Sequence, residues 1–293
     1  MHDQAQGLRN LVRRTQAQGQ ASGAGTRILT VTSGKGGVGK SNFTLNFALA
    51  LQRKGFKTLV FDADIGLANI DVLMGVSSQL SLYHLLKREK TIWDIVQTGH
   101  EGLQFIAGGS GFNDLIRLTE EQLDEFAEQV NQLSGKVDFI IFDTGAGLSK
   151  ETLKFIVAAQ ETIVVTTPEP TSITDAYAIV KMVHAMQDDV RFRLVVNRTA
   201  DIAEGRHTAD KIRMVARQFL QLDIPVLGYV ADDPHVPKAV KQQVPFTVAY
   251  PHCEAARSIE RLASDFIAGQ PPDESGEGAV KGFLNKMMRL FRP

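Results

Sequence analysis

The sequence predicts an α/β protein with a mainly parallel, doubly wound sheet flanked by helices. Three observations support this prediction: short apolar runs alternate with helical patterns, a glycine-rich loop joins the first run to the first helix, and aspartates follow later runs. Alternation of strands and helices is typical of a parallel sheet with helices on both faces. Such sheets bind ligands beyond the carboxyl ends of their strands, so the loops at that edge are where a site is expected.

Seven apolar runs are predicted as strands because they are nearly continuous and rich in Val, Ile and Phe, as strands buried on both faces should be. They are 28–32, 58–61, 103–107, 139–142, 162–166, 192–196 and 226–230. Helical patterns lie between most of them, at 40–53, 81–97, 119–133, 149–159, 172–186, 208–221 and 254–267.

Composition divides the chain into five parts. Residues 1–15 form a polar and basic segment, and 16–26 are rich in Gln, Ala, Gly and Ser, which is typical of a linker. The main domain covers 27–268. A second linker, 269–278, is rich in Pro, Gly and acidic residues and leads to a C-terminal segment at 279–293.

Charge and cysteine content exclude several classes of protein. The 32 basic and 33 acidic residues give a net charge of −1, so nucleic acid is a disfavoured partner. The single cysteine, Cys253, excludes an internal disulfide and a multi-cysteine metal site within one chain. No apolar run is long enough to span a membrane and the N-terminus has no apolar signal core, so we expect a cytoplasmic location.

The stretch TSGKGGVGKSN at 32–42 contains the G-x-x-x-x-G-K-S pattern of a phosphate-binding loop, between a predicted strand and a predicted helix. That context disfavours a chance glycine-rich turn. Its amides can point at an anion, with Lys40 on the β- and γ-phosphates and the Ser41 hydroxyl on Mg²⁺. The predicted nucleotide-binding residues of the loop are Gly34, Lys35, Gly36, Gly37, Val38, Gly39, Lys40, Ser41 and Asn42.

Aspartates at two strand ends are the expected partners of a magnesium–nucleotide site. Asp62 and Asp64 end the second run, and Asp143 follows the apolar run FIIF. We predict Ser41, Asp62 and Asp143 as the metal-site residues, with Asp143 acting through water. No glutamate follows Asp143, so Asp64 is the candidate to orient the attacking water. An aspartate at such a position could instead cap the next helix.

The segments KGGVGKS, DADIGLANIDVLMG and DTGAG resemble the deviant-Walker, MinD/ParA class of P-loop ATPases across the main domain. The resemblance implies ATP hydrolysis, with ATP or ADP and Mg²⁺ as cofactors, by a homodimer that sandwiches two ATP molecules. It further implies that Lys35 reaches the partner's nucleotide, with Lys35, Lys40 and Asp64 as catalytic residues. A second cation would stabilise transition-state charge as an arginine finger does. The alternative for Lys35 is a solvated surface lysine.

The same resemblance assigns the base-binding residues. Asn197 in VVNRT would recognise adenine with Arg198 packing nearby, and Asp232 or Asp233 in VADDPHVPKAV would add backbone contacts. Glu169 could meet the partner's nucleotide, although an N-capped helix start at 171–172 explains the same residues.

The C-terminal segment has one apolar helical stripe with basic residues around it. The stripe consists of Val280, Phe283, Leu284, Met287, Met288 and Phe291. A basic amphipathic helix behind a linker is typical of a membrane-surface anchor, which predicts peripheral binding to lipid at the inner face of the bacterial cell membrane. The alternative is a helix docked on the core or on a partner protein.

The N-terminal stretch DQAQGLR resembles the DQAxxLR motif of the FlhG (FleN, YlxH) family of flagellar-number regulators. The matching positions are Asp3, Gln4, Ala5, Leu8 and Arg9. The resemblance implies that this segment stimulates the GTPase FlhF, with Gln4 orienting water in its site, and it adds C-ring proteins of the flagellar basal body as candidate partners. Two alternatives stay open: a MinD-type division-site selector, which lacks the segment, and a ParA-type DNA-partition ATPase, which needs a basic face.

Overall fold

The computed structural model describes residues 25–64, 69–108, 119–269 and 278–291. These residues form an eight-stranded sheet in the order β3-β4-β2-β5-β1-β6-β7-β8. All neighbouring strands are parallel except β3 and β4. The strands are β1 (Arg27–Ser33), β2 (Thr58–Ala63), β3 (Gln97–Thr98), β4 (Gln104–Ile106), β5 (Phe139–Ala146), β6 (Glu161–Thr166), β7 (Arg191–Thr199) and β8 (Val226–Ala231). The predicted fold class and all seven predicted strands are confirmed, and β3 is an addition.

Twelve α-helices lie in the described part of the chain. They are α1 (Lys40–Arg53), α2 (Ile70–Met74), α3 (Leu82–Leu86), α4 (Ile92–Ile95), α5 (Glu120–Asn131), α6 (Lys150–Ala158), α7 (Pro170–Met186), α8 (Ile202–Leu220), α9 (His235–Gln242), α10 (Phe246–Ala249), α11 (Glu254–Ala268) and α12 (Ala279–Phe291). Among these helices, none combines the length and the apolar character that crossing a bilayer requires.

The helices cover both faces of the sheet because strand side chains alternate between the faces. Val60 of β2 and Ile141 of β5 join a core with α1 and α11 on one face. On the other face, Phe61 and Phe142 pack with α3 to α6 and α12. A third cluster joins the same face of β6 and β7 to α6, α7 and α8. The buried sheet therefore holds its strand ends in fixed positions for the loops that follow them.

The single helix predicted over 81–97 is wrong. The segment forms two short helices, α3 and α4, because Arg88 between them adopts a left-handed φ of 61°. A new helix start then forms at Thr91, where the carboxylate of Asp94 accepts hydrogen bonds from the Thr91 N–H at 2.9 Å and hydroxyl at 2.8 Å.

The first predicted linker extends one residue too far. Thr26 is buried, and its hydroxyl donates to the carbonyl of Val137 at 2.6 Å while accepting from the N–H of Gly135 at 2.8 Å. The folded domain therefore already includes Thr26. Residues 1–24, which contain the DQAxxLR motif, and 270–277 of the second linker lie outside the described residues.

The C-terminal helix α12 is docked on the core, which is the alternative to the membrane anchor that the sequence left open. Val280, Phe283, Leu284 and Met287 are buried and Met288 is half-buried, against α5, α6 and the sheet. The ring of Phe283 stacks on Phe142 of β5 with centroids 4.8 Å apart. The structure does not describe the side chain of Phe291. A membrane role for this stripe therefore requires the helix to leave the core.

Docking of α12 predicts that Phe283→Ala destabilises the protein by about 3 kcal/mol, because it removes a buried aromatic ring and leaves a cavity. Thermal or urea unfolding measures the loss, with the exposed neighbour substitution Lys281→Ala as the matched control. Equal stability of Phe283→Ala and the parent would show that α12 is not docked in solution.

Candidate nucleotide site

The predicted phosphate-loop and metal-site residues lie at the carboxyl ends of β1, β2 and β5. β5 lies between β1 and β2, and the register pairs Asp62 of β2 with Asp143 of β5. The loop 34–39 leaves β1 at the same edge and leads directly into α1. Parallel strands bring their carboxyl ends to one edge, so residues 80 or so positions apart in sequence become neighbours.

Lys40, the first residue of α1, forms a buried ion pair with Asp143. Its Nζ lies 3.0 Å from Asp143 Oδ1, and the side chains are 6% and 0% exposed. The Thr44 hydroxyl donates to the same oxygen at 2.7 Å, and Lys40 Nζ donates to the Ser41 hydroxyl at 3.2 Å. The loop lysine, the helix hydroxyls and the strand-end aspartate thus form one connected polar cluster.

The cluster has the acceptors that a magnesium ion and its waters need. Asp143 Oδ2 is buried and has no hydrogen-bond partner among the described residues. Oxygen ligands suit Mg²⁺, which usually keeps several waters and takes few protein ligands. The Ser41 hydroxyl and Asp143 would hold such an ion, which supplies charge neutralisation at the phosphates when it is bound.

Asp62 is fully buried and both of its carboxylate oxygens accept backbone hydrogen bonds. Oδ1 accepts from the N–H of Asp64 at 3.2 Å, and Oδ2 accepts from Asn69 at 2.8 Å and Ile70 at 3.1 Å. Burial raises the pKa of Asp62 and the charge of Asp143 raises it further, to about 7, although these hydrogen bonds oppose the rise. In this structure Asp62 therefore holds the start of α2, and its role at a metal stays a prediction.

Asp64 is half-buried and lies next to the DTGAG segment. Its Oδ1 is 3.3 Å from the point that a Cβ on Gly145 would occupy, so glycine leaves room for this carboxylate. Burial raises the pKa of Asp64, while the positive charge of Lys40 lowers it and Asp143 raises it. Asp64 thus faces the same cluster with a carboxylate that could accept a proton from water, as its predicted role requires.

Two glycines of the loop are required by close contacts that the motif alone does not show. A Cβ on Gly34 would lie 2.2 Å from the backbone carbon of Asp175, and one on Gly39 would lie 2.4 Å from Asn197 Nδ2. Gly39 also has a φ of 89°. Asn197 Nδ2 donates to the carbonyl of Val38 at 2.8 Å. Asn197 therefore supports the loop, and its predicted contact with adenine stays a prediction.

Lys35 points toward its own chain. Its Nζ lies 2.8 Å from Glu169 Oε2 and donates to the Thr171 hydroxyl at 3.1 Å, at the start of α7. Lys35 and Glu169 are 41% and 55% exposed, so both can reach another surface. The hydrogen bond and the charge of Lys35 lower the pKa of Glu169. The pair brings together two residues that the sequence assigns to a partner's nucleotide.

A cleft of about 660 Å³ extends from the loop to α9 and α10. It contains the predicted Gly37, Gly39, Asn42, Asn197, Arg198 and Asp232, and Arg198 Nε lies 3.5 Å from Asp232 Oδ1. The cleft has an apolar wall, which consists of Phe43, Pro234, Val236, Pro237, Val240, Phe246 and Ile259. Four of these residues belong to the VADDPHVPKAV segment that the resemblance assigned to the base, whereas Phe43, Phe246 and Ile259 were not predicted from the sequence. An apolar wall with a polar rim suits the flat face of a base.

Asp233 fixes the wall of this cleft. Its Oδ1 accepts from the N–H of His235 at 2.9 Å and lies 2.8 Å from His235 Nδ1, and its Oδ2 accepts from the N–H of Ala255 at 3.3 Å. Burial acts to raise the pKa of Asp233, but these hydrogen bonds outweigh it and lower the pKa to about 2. The DD pair in the sequence marked this loop, and the structure gives Asp233 a structural role there.

Comparison with known proteins places the chain beside several P-loop ATPases. The family model described as "ParA: NUBPL iron-transfer P-loop NTPase" matches residues 25–267. The antiactivator FleN of Pseudomonas aeruginosa is 32% identical over 263 residues, which cover 90% of this chain and 94% of FleN. The flagellum site-determining protein YlxH of Helicobacter pylori is 36% identical over 296 residues, with 99% and 100% covered.

Solved structures agree with these similarities. The septum site-determining protein MinD from Pyrococcus horikoshii, complexed with Mg-ADP, superimposes with a TM-score of 0.68 at 27% identity. The match covers 83% of this chain and 98% of that structure. The architecture predicted from the strand–helix alternation is thus the architecture of a solved relative.

The buried pair predicts that Lys40→Met destabilises the protein by about 3 kcal/mol, because Asp143 then keeps a buried charge without its cation. Adding Asp143→Asn should recover most of that loss, since the amide oxygen can still accept from Thr44. Urea unfolding of the single and the double variant measures the difference. If both variants unfold at the same urea concentration, the pair does not exist as a buried ion pair.

Proposed function

Because the chain belongs to the ParA/MinD family of P-loop ATPases, we propose that it is an ATP-dependent dimerising switch that regulates the number and placement of flagella. The observation that carries the proposal is the joint placement of Lys40, Ser41, Asp64 and Asp143 at one sheet edge, with a second cation, the partly exposed Lys35, in a surface ion pair with Glu169. The flagellar assignment is supported by the similarity to FleN and YlxH.

Each group in the cluster has a part in hydrolysis. Lys40 and the loop amides would bind the phosphates, Ser41 and Asp143 would hold Mg²⁺, and Asp64 would orient the attacking water. Lys40 contacts Asp143 in this structure, so bound phosphate would compete with that carboxylate for the ammonium. The MinD relative that is complexed with Mg-ADP supports this choice of ligands. Iron transfer is not part of the proposal, since Cys253 alone cannot hold a cluster.

Dimerisation moves Lys35 from Glu169 to the partner's ATP. An ion pair between exposed side chains is weak in water, so the exchange does not have to overcome a strong contact. In the dimer the same cation would be excluded from water and face several phosphate oxygens, where its interaction is stronger. The resting contact thus keeps Lys35 near the position from which it would reach across.

We expect Lys35→Ala to stay monomeric with ATP, because the cation that joins the two subunits is missing. Asp64→Ala should accumulate as an ATP-bound dimer, because hydrolysis that separates the subunits is lost. Light scattering with ATP and with ADP measures both states. Lys54→Ala removes a surface lysine that lies 3.7 Å from Glu260, away from the site, and is the matched control. Dimerisation of Lys35→Ala at the parent's ATP concentration would refute the trans role.

Membrane binding would follow from release of α12 in the dimer. The buried stripe is apolar, and Lys281 and Arg289 lie on the exposed side of the helix. Anionic lipid adds about 1 kcal/mol per basic residue near the surface. Two helices on a dimer bind with avidity, so that ATP binding becomes peripheral attachment at the inner face of the membrane.

In a flotation assay, the full chain should move to the top of the gradient with anionic vesicles when ATP is present. With ADP it should stay at the bottom of the gradient, unbound to vesicles. The double variant Lys281→Glu/Arg289→Glu leaves the buried stripe intact and should float several-fold less, because its basic residues are reversed. Vesicles of neutral lipid and the parent chain provide the control. Equal flotation in ADP and ATP would contradict coupling between the nucleotide and α12.

The main domain does not separate this proposal from a MinD-type division-site selector, because MinD of Bacillus subtilis is also 30% identical over 273 residues. The N-terminal segment is the feature that distinguishes the two functions. Asp3, Gln4, Ala5, Leu8 and Arg9 lie outside the described residues, so the FlhF partnership rests on the motif.

C-ring proteins of the flagellar basal body are further candidate partners. The neighbouring helices α7 and α8 expose Met182, Met186, Met214 and Phe219, which suits contact with another protein.

Deletion of residues 1–20 should abolish stimulation of the FlhF GTPase and leave ATP hydrolysis unchanged. Gln4→Ala in the full chain should lose most of the stimulation, because the glutamine is the residue proposed to orient water. Gln6→Ala, outside the fixed positions of the motif, is the matched control. Undiminished stimulation after the deletion would favour the division-site function.

A further inference from the structure

The part of the apolar wall that α10 forms, named here the base-side wall, is a short helix that does not cap itself. α10 spans only Phe246–Ala249 and follows Pro245, whose side chain makes no capping hydrogen bond. Phe246 lines the cleft. The next residue, Thr247, is fully buried, so its polar groups need protein partners.

Those partners come from α1, 201 residues away in sequence. Asn46 Oδ1 accepts hydrogen bonds from the Thr247 N–H at 2.9 Å and from the Thr247 hydroxyl at 2.9 Å. Arg53 Nη2 donates to the Thr247 carbonyl at 3.1 Å. Asn46 therefore does for α10 what an N-cap side chain does in an ordinary helix, but from a distant element.

The other end of the Asn46 amide contacts the first turn of α1. Asn46 Nδ2 donates to the carbonyl of Asn42 at 2.8 Å, and Asn42 also lines the cleft. Asn46 is fully buried and does not line the cleft itself. One amide thus connects the first turn of α1, which follows the phosphate loop directly, to the segment that carries Phe246.

We propose that Asn46 is a positioning residue that fixes the base-side wall of the cleft relative to the phosphate loop. It then contributes to affinity for the nucleoside part of a nucleotide and not to affinity for the phosphates. The inference rests on the proposed nucleotide-binding function. A leucine of similar size cannot accept from Thr247, so α10 and Phe246 would lose their fixed position while the loop keeps its own contacts.

The test compares ADP with inorganic tripolyphosphate as competitive inhibitors of ATP hydrolysis by the full chain. For Asn46→Leu we expect the inhibition constant of ADP to rise about tenfold and that of tripolyphosphate to change less than twofold. KM for ATP should rise with kcat unchanged, as for a loss of uniform binding. Equal changes for both inhibitors, or no change for ADP, would overturn the inference.

Two further variants separate positioning from general instability. Thr247→Val removes only the hydroxyl and should raise the ADP constant about threefold, in the same direction, even if Asn46→Leu does not fold. Val183→Ala destabilises the core cluster on the other face and should leave the ratio of the two constants unchanged. If the parent neither hydrolyses ATP nor binds ADP, the proposed function itself fails; if only the ratio fails to change, Asn46 has no such role.

Discussion

The ammonium of Lys40 and a carboxylate oxygen of Asp143 face each other 3.0 Å apart where both side chains are almost completely buried. Charges in such a place are tolerated only when they are paired and hydrogen-bonded, so their geometry is tightly constrained. Lys40 begins α1 and Asp143 lies in β5, and the pair therefore fixes the phosphate loop against the centre of the sheet. Three polar residues lie around this pair. Its charges shift the pKa of Asp62 and of Asp64, and the Thr44 hydroxyl donates a hydrogen bond to Asp143.

The helix α1 connects this ion pair to more distant parts of the structure. Its first turn receives the loop, Asn46 and Arg53 hold α10, and its apolar side packs in the core with α11. Elements that lie far apart in the sequence thus share one rigid support. The cleft is consequently a product of tertiary packing, with a polar rim from loop residues and an apolar wall from α9, α10 and α11.

How far the sequence predicts the molecule depends on how local the signal is. The seven predicted strands could be recognised because each contains a nearly continuous apolar run, and the loop residues because phosphate binding requires that spacing. The two-residue β3 has no such pattern. Leu82, Leu85, Ile92 and Ile95 fit one helical stripe, but the left-handed backbone of Arg88 and the extended backbone of Thr91 divide it into two helices. The Asn46 bridge joins segments 201 residues apart, which no local pattern records.

The stripe on α12 shows what amphipathicity can and cannot specify. It predicts that the helix covers its apolar side, and the structure supplies a partner in Phe142, Phe155 and the sheet. Whether lipid can replace that partner is a question of competing surfaces and cannot be derived from the spacing. The sequence position of Lys35 likewise does not specify the partner of its charge. In this structure the partner is Glu169 of the same chain.

Burial of α12 has a thermodynamic consequence for any departure from its groove. Four fully buried apolar side chains, each worth about 1.5–3 kcal/mol in transfer to water, cannot be released into solvent without a large free-energy penalty. The core surface beneath them would be exposed as well. A helix that left this groove, as the proposed membrane attachment requires, would therefore need a second nonaqueous environment for its apolar side, and the vacated groove would need a cover.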